Sequence, residues 1–361
     1  MISEAVRAFG VEWEKLWHAP CSDGGRGIAP APVVQGPRGI RVEVMSGHVF
    51  GPVPSRRLGR SLGLDLVPFK TCTYDCIYCQ LGRTTCKTLE RREWVPLELV
   101  LKELEGKLGS QPDYITLSGS GEPTLFSPLD KLIAGIRART DIPIAVLTNG
   151  SLLGLEEVPR ELSEADLVIP SLDAGNDATF RLVDRPHEGI SFEHMLAGLI
   201  AFRRRFRKEL WLEVFLLGAH TTFDRELAGI RRCVDLIRPD RVQLNTVTRP
   251  PAEDYAMAVP RATLEEIAGT LTPRAEVIAE FHAPGALSGG EGGREEILDL
   301  LSRRPCSIDD IAEGLGMHRN EVLKSVEHLR AEEMVGGDQV GDKFFYEAIR
   351  PPKRRPNGAS R

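Results

Sequence analysis

Apolar positions in the middle of this chain alternate between two periods. Short apolar runs at residues 113–118, 142–148, 166–171, 210–217 and 241–246 read as strands, and a further run at 61–69 precedes them. Between them the period lengthens. Residues 96–108 place Leu97, Val100, Leu101, Leu104 and Leu108 on one helical face, and 128–138, 192–206 and 225–237 read as helices too. The result is six β/α units. Repeated units of this kind build a parallel sheet with right-handed crossovers. Six of them predict an open partial barrel rather than a closed barrel of eight strands, with chemistry gathered at the C-terminal strand ends.

The flanks differ in pattern. Residues 1–46 form an extension in which 4–17 read as one amphipathic helix, with Phe9, Trp13 and Trp17 four residues apart. A Gly/Pro-rich loop follows, carrying Cys21 as a free thiol, and the recognisable sequence begins just after Met45, a candidate start. The barrel is expected over 47–283 and a Gly-rich linker over 284–294. A second domain is expected over 295–349. Residues 295–303 read as a helix, Ser307 caps the next with Asp310 at its third position, and that helix ends at Gly314. Residues 318–334 read as a third helix, and 336–341 link short strands ending at 343–346. Three helices and a hairpin resemble a winged helix. The tail, 350–361, is basic, Pro-rich and expected to be disordered.

Charge and composition narrow the classes. The chain has 361 residues, 42% of them hydrophobic, and a net charge of −6. No run of 18 apolar residues exists, so no membrane span is expected. The N-terminus lacks the apolar core of a secretory signal, which points to the cytoplasm. Seven cysteines, an odd number, argue against a disulfide framework. Residues 294–349 carry seven Lys and Arg against thirteen Asp and Glu, so duplex DNA is repelled on balance.

The candidate chemistry starts at Cys72, Cys76 and Cys79, spaced C-x3-C-x2-C, with Tyr78 just before the third. An iron–sulfur cube takes four thiolates. Three leave one iron open. Structural zinc prefers paired C-x2-C units and a fourth ligand, and the nearest further cysteine, Cys86, fits no such pattern. The Gly/Pro/Arg-rich stretch 50–63 reads as a loop leading to the first strand. Its Arg56 and Arg57 are either solvated or placed to hold a carboxylate or phosphate. Glu213 lies within an apolar strand, where a carboxylate is partnered or functional. Asn245 and Arg249, at the sixth strand end, are substrate candidates beside a structural reading. Asp184, Arg185, His187 and His220 fall in loops, where the commoner reading is surface.

The cysteine spacing resembles the radical S-adenosylmethionine (SAM) superfamily, and residues 50–85 resemble its subgroup loosely related to wyosine-type tRNA modification and molybdenum-cofactor-type enzymes. The resemblance implies a 4Fe-4S cluster on Cys72, Cys76 and Cys79, with SAM chelated through its amino and carboxylate groups. Gly119-Ser120-Gly121-Glu122-Pro123 resembles the family's G-G-E-P motif at the SAM amino group, with Ser120 replacing the first glycine. By the same resemblance Tyr78, Thr148, Asn149, Ser171 and Asp173 fall at SAM-binding positions, the last two offering groups suited to ribose hydroxyls or an ammonium. No residue stands out as a general base, which fits chemistry carried by a cofactor. The implied reaction is reductive cleavage of SAM to a 5′-deoxyadenosyl radical that modifies a small metabolite, a peptide or an RNA base. It needs an electron donor such as flavodoxin or ferredoxin. Wyosine-type enzymes carry extra N-terminal cysteines, whereas this chain offers Cys21 alone there. Two other classes compete: an iron–sulfur redox sensor regulating transcription through the winged helix, and a zinc-binding structural protein.

Overall fold

The computed structural model describes residues 33–35, 41–43, 47–279, 293–341 and 343–349. The expected N-terminal helix, Cys21, the core of the linker and the basic tail lie outside the described residues. Val33–Gln35 (β1) and Arg41–Glu43 (β2) pair antiparallel.

The apolar runs become the strands of one eight-stranded sheet. Val49–Ser55 (β3) and Gly59–Leu64 (β4) form an antiparallel hairpin at one edge. Thr71–Cys72 (β5) and Cys86–Lys87 (β6) pair with each other outside the sheet. From β4 the sheet runs parallel through Tyr114–Leu117 (β7), Ile144–Thr148 (β8), Leu167–Pro170 (β9), Glu209–Phe215 (β10), Arg241–Asn245 (β11) and the short Glu276–Val277 (β12). The crossovers hold Leu97–Lys107 (α1), Leu129–Arg137 (α2), Glu157–Glu161 (α3), Asp177–Val183 (α4), Phe192–Arg205 (α5), Asp224–Ile237 (α6) and Arg261–Ala268 (α7). Strand residues such as Ile115, Leu117, Ile144, Val146, Val168, Leu212 and Leu244 are fully buried. That is the expected state of parallel strands covered on both faces. Among the described residues no helix is long and apolar enough to cross a membrane.

The sheet curls. Arg56, in the turn between β3 and β4, donates to Asn245 at the end of β11 and to the carbonyls of Ile278 and Ala279 beyond β12. A side chain from one edge therefore reaches the other.

Two sequence expectations shift here. The stretch 50–63, expected as a loop, is mostly the β3–β4 hairpin. Its prolines are tolerated because β3 is an edge strand, and the register shifts between Phe50 and Val53. The first core strand correspondingly ends at Leu64, not at residue 69. Asp65 follows it, and its amide donates to the His48 carbonyl.

The C-terminal unit holds Arg294–Arg303 (α8), Ile308–Leu315 (α9), Arg319–Ala331 (α10) and the hairpin Val335–Val340 (β13) and Lys343–Ala348 (β14). The Ser307–Asp310 capping box forms as expected, at 3.1 and 2.9 Å. The helix continues past Gly314 and closes at Gly316, whose φ of 66° suits a glycine cap. The run 336–341 pairs as strand β13 rather than linking two strands. The unit packs on β3. Val53 joins its apolar core, and Arg303 lies over the Phe50 ring while donating to the Gly47 carbonyl.

Candidate active site

The cysteine loop leaves β5 and is pinned from both sides. Ile77, fully buried, donates its amide to Val183, and the Asp75 amide bonds to Asp184. Tyr74 packs edge-on against Phe180 at 5.4 Å. Thr73 shares a 2.8 Å hydrogen bond with Ser151. Each cysteine sulfur has a polar neighbour. Lys70 Nζ donates to Cys79 at 3.0 Å, Asn149 Nδ2 lies 3.6 Å from Cys72, and Cys76 meets an Asp184 oxygen at 3.6 Å. Burial pushes the Cys72 thiol up to about 12 and Cys76 well above its ordinary value. A bound metal reverses that by deprotonating a coordinating thiol outright. Among the described residues no three His, Cys, Asp or Glu converge on a point suited to one ion. A cube spreads its ligands over separate irons, so three cysteines around a loop, with a Lys donor at one sulfur, fit a cluster better than mononuclear zinc.

The loop after β7 lies against this one. Glu122 N donates to the Thr71 carbonyl, and a Cβ on Gly121 would sit 1.8 Å from that same oxygen. Only glycine permits this approach. Gly119 has φ 151°, and a Cβ there would meet Asp65 at 2.6 Å. Asp65 accepts from the Ser120 amide at 2.9 Å and from its hydroxyl. Ser120, an odd residue beside the family pattern, is thus held by a carboxylate on the neighbouring strand end. Burial pushes Asp65 above the usual carboxylate range despite these donors. Asp65 was missed in sequence. Its only signal was a lone carboxylate inside the apolar run 61–69.

Six of the expected site residues do not line the central cavity. Glu122 is buried and its carboxylate accepts from Thr124 N and Oγ1, Thr148 Oγ1 and Asn149 N, at 2.5–3.0 Å. Asn149 in turn donates to Thr73 at 2.7 Å. Glu122, Pro123, Thr148 and Asn149 therefore tie two strand ends to the cysteine loop. Cys76 and Asp173 do not line the cavity either. Asp173 accepts from the Tyr78 hydroxyl and from the Phe215 amide, and Tyr78 stacks on Phe215 at 4.0 Å. Burial raises Asp173 to about 7 and Asp184 well above the carboxylate range. Asp184, which the sequence left as a surface loop group, is buried against Cys76. Arg185 pairs with Glu253 at 2.6 Å, His187 is half-buried, and His220 lies edge-on to Tyr255.

The remaining candidates meet around one cavity of about 440 Å³: Cys72, Tyr78, Cys79, Gly119, Ser120, Gly121, Ser171, Arg56, Arg57, Glu213, Asn245 and Arg249. The C-terminal unit closes it with Arg303, Arg304 and Asp310. Arg57 is not solvated. It pairs with Glu213, which also accepts from Asn245 at 2.9 Å. Burial pushes Glu213 upward, but the Arg57 guanidinium and Asn245 hold it below its ordinary value. A lowered carboxylate adds stability above its unfolded pKa, and loses it as pH falls through the folded one. Comparing urea midpoints of wild type and Glu213→Gln, we expect the wild-type advantage to be full at neutral pH and to shrink below pH about 4.3. An advantage unchanged at acid pH would remove the charge pair as its source.

Residues 66–234 match the model of the radical SAM superfamily. The chain is 42% identical over 289 residues to a protein of Brachyspira hyodysenteriae named GTPase Obg, covering 78% of this chain but 42% of that protein. It is 37% identical over 275 residues to a UPF0026 protein of Methanocaldococcus jannaschii, covering 73% of this chain and 84% of the relative. It is 32% identical over 311 residues to a UPF0026 protein of Helicobacter pylori, covering 82% and 96%. Among solved structures, a radical SAM methyltransferase from Sphaerobacter thermophilus aligns with TM-score 0.47 and 13% identity, over 61% of this chain and 66% of that one.

Proposed function

The chain belongs to the radical SAM superfamily, among the UPF0026 proteins, and on that premise we propose that Cys72, Cys76 and Cys79 hold its 4Fe-4S cluster and that the enzyme uses SAM to modify a substrate bound in the central cavity. The superfamily uses such a cluster together with SAM. When bound and reduced, the cluster supplies the electron that splits SAM into methionine and a 5′-deoxyadenosyl radical.

The observation that carries the reading is the contact between two loops. The Gly121 backbone presses on Thr71, next to Cys72, so the edge 119–121 and the cysteines Cys72 and Cys79 share one cavity wall. The chain's own residues do the positioning. Lys70 offers a donor to the Cys79 sulfur and Asn149 one to the Cys72 sulfur. The backbone at 119–121 is the bare edge along which SAM would lie, with Ser171 facing the same space. Tyr78, stacked on Phe215 and hydrogen-bonded to Asp173, holds the end of the loop in place. Glu122 braces the strand ends behind this edge. We assign the substrate to the far side of the cavity, against Arg56, Arg57, Glu213, Asn245 and Arg249.

In finer detail we read the sheet as a partial (β/α)6 barrel and the C-terminal unit as a winged-helix-like domain. Three helices and an antiparallel hairpin support the second reading. The domain turns Arg303, Arg304 and Asp310 toward the cavity, which favours a role in closing the site over transcriptional regulation. We place the enzyme in the cytoplasm, served by a low-potential donor such as flavodoxin or ferredoxin. The test is anaerobic reconstitution with iron and sulfide, reduction, addition of SAM and quantification of 5′-deoxyadenosine by mass spectrometry. Production of 5′-deoxyadenosine is expected. A fully loaded protein that neither binds SAM in calorimetry nor cleaves it would sink the reading.

A further inference from the structure

Where the C-terminal unit meets the mouth of the sheet, five guanidinium groups line the cavity: Arg56, Arg57, Arg249, Arg303 and Arg304. Three carboxylates line it with them, Asp65, Glu213 and Asp310, and Arg303 is matched by Asp65 at 3.8 Å and by Asp299 at 3.1 Å. Arg57 is matched by Glu213. Arg249 lies 3.5 Å from Asp310 and 3.4 Å from Gln80 Oε1. Its Nε has no acceptor among the described residues, although its side chain is only 9% exposed. Arg56 bonds to neutral acceptors, Asn245 at 2.9 Å, Thr248 at 2.7 Å and two backbone carbonyls. Arg304 is half-buried and lies near enough to Arg56 and Arg249 to depress both, after burial, which is the larger cause for each. Among the described residues its guanidinium has no hydrogen bond or ion pair, and its carbonyl accepts from the Cys306 thiol.

This arrangement is costly for a protein. Buried cations are ordinarily paired, and buried donors are ordinarily satisfied. Here five guanidiniums against three carboxylates leave two positive charges over, and the Arg249 Nε has no acceptor among the described residues. The three underused groups come from separate elements: the β3–β4 turn, the loop after β11 and the end of α8. All three line the same cavity. A phosphate monoester brings close to two negative charges and three acceptor oxygens. Guanidinium forks suit those oxygens. A carboxylate would leave one charge unmatched.

We propose that Arg56, Arg249 and Arg304 form a phosphate subsite, and that the substrate is a small phosphorylated metabolite held by its phosphate at this end of the cavity. The substrate role rests on the radical SAM reading, whereas the anion site does not. The C-terminal unit then has a specific purpose: it supplies Arg304 and the Asp310 partner of Arg249. The overall negative charge of that unit disfavours a nucleic-acid chain approaching from outside, while the guanidinium excess lines the cavity.

The test is calorimetry on the full chain at constant ionic strength, with ribose 5-phosphate, ribose, inorganic phosphate and a short single-stranded RNA lacking terminal phosphate. Ribose 5-phosphate and inorganic phosphate are expected to bind, and ribose is not. Arg304→Gln should weaken ribose 5-phosphate about tenfold, the loss of a charge-assisted contact. Its thermal midpoint should match or exceed that of wild type, because it relieves like-charge repulsion without breaking a pair. Equal binding by wild type and Arg304→Gln overturns the proposal, as does ribose binding as well as its phosphate. RNA binding without ribose 5-phosphate binding overturns it in favour of a polynucleotide. If the phosphate ester binds but no 5′-deoxyadenosine is ever formed, the anion site stands and the enzyme reading falls. The reverse pattern removes the site alone.

Discussion

Replacing Cys76 with alanine is expected to bring 5′-deoxyadenosine formation down to background and to leave less than a full complement of iron and sulfide per chain. Cys76 sits half-buried in a loop already fixed by Ile77, Tyr74 and Thr73, so the backbone has other anchors when the thiol is lost. The fold should therefore survive, with a thermal midpoint for metal-free protein near that of metal-free wild type. That separation matters. A variant that merely unfolds would lose activity for an uninteresting reason. Asp184, whose oxygen lies 3.6 Å from Cys76, loses its sulfur neighbour in the variant. Retention of full iron and undiminished SAM cleavage in Cys76→Ala would remove Cys76 from the cluster. Stoichiometric zinc in place of iron after anaerobic purification of wild type would instead revive the structural-zinc class.

Glu122→Ala should destabilise the protein by about 3 kcal/mol or more, because it strands several buried donors at once, each costing about 1–3 kcal/mol when left unmade. Four donors from three residues converge on this carboxylate, and Glu122 is only 2% exposed. Glu122→Gln distinguishes the parts. Its carbonyl oxygen can still accept from Thr124 and Thr148, but its amide group meets the Asn149 N–H donor to donor. Gln is thus expected to cost less stability than Ala while still loosening Asn149, which touches Thr73 and Cys72. Urea midpoints report the first effect, and iron retained through gel filtration reports the second. If Glu122→Ala unfolds at the wild-type midpoint, the carboxylate is not a brace and is available to a ligand after all. The family resemblance places Glu122 at SAM, whereas its partners in the structure are Thr124, Thr148 and Asn149.

Much of the architecture was legible in the chain. A parallel sheet leaves near-continuous apolar runs separated by amphipathic helices, because its strands are buried on both faces. All six predicted β/α units are present, with edges shifted by a few residues. The hairpin at 49–64 was not legible. Its Gly and Pro content reads as loop, and only the edge position of β3 makes those prolines compatible with a strand. The short helices α3, α4 and α7 were also missed, since five to eight residues give too little periodicity.

For the site, local sequence determined what local geometry could carry: the cysteine spacing, the glycines that allow the loop after β7 to touch Thr71, and the capping box that opens α9. These depend on neighbours a few residues away, so they leave a readable pattern. Tertiary structure alone decided which charged groups meet. Arg57 and Glu213 are 156 positions apart by their numbers and pair inside the cavity, while Arg56 and Arg57, adjacent in the chain, receive different partners. Asp65 finds Ser120, Asp184 finds Cys76, and Arg249 finds Asp310 from the C-terminal unit. Ion pairing follows distance in space and burial, neither of which a linear chain encodes at long separation. The same reason hid Arg304, which reads in sequence as one more basic residue at a helix end and becomes distinctive only once folding leaves it facing two other guanidiniums.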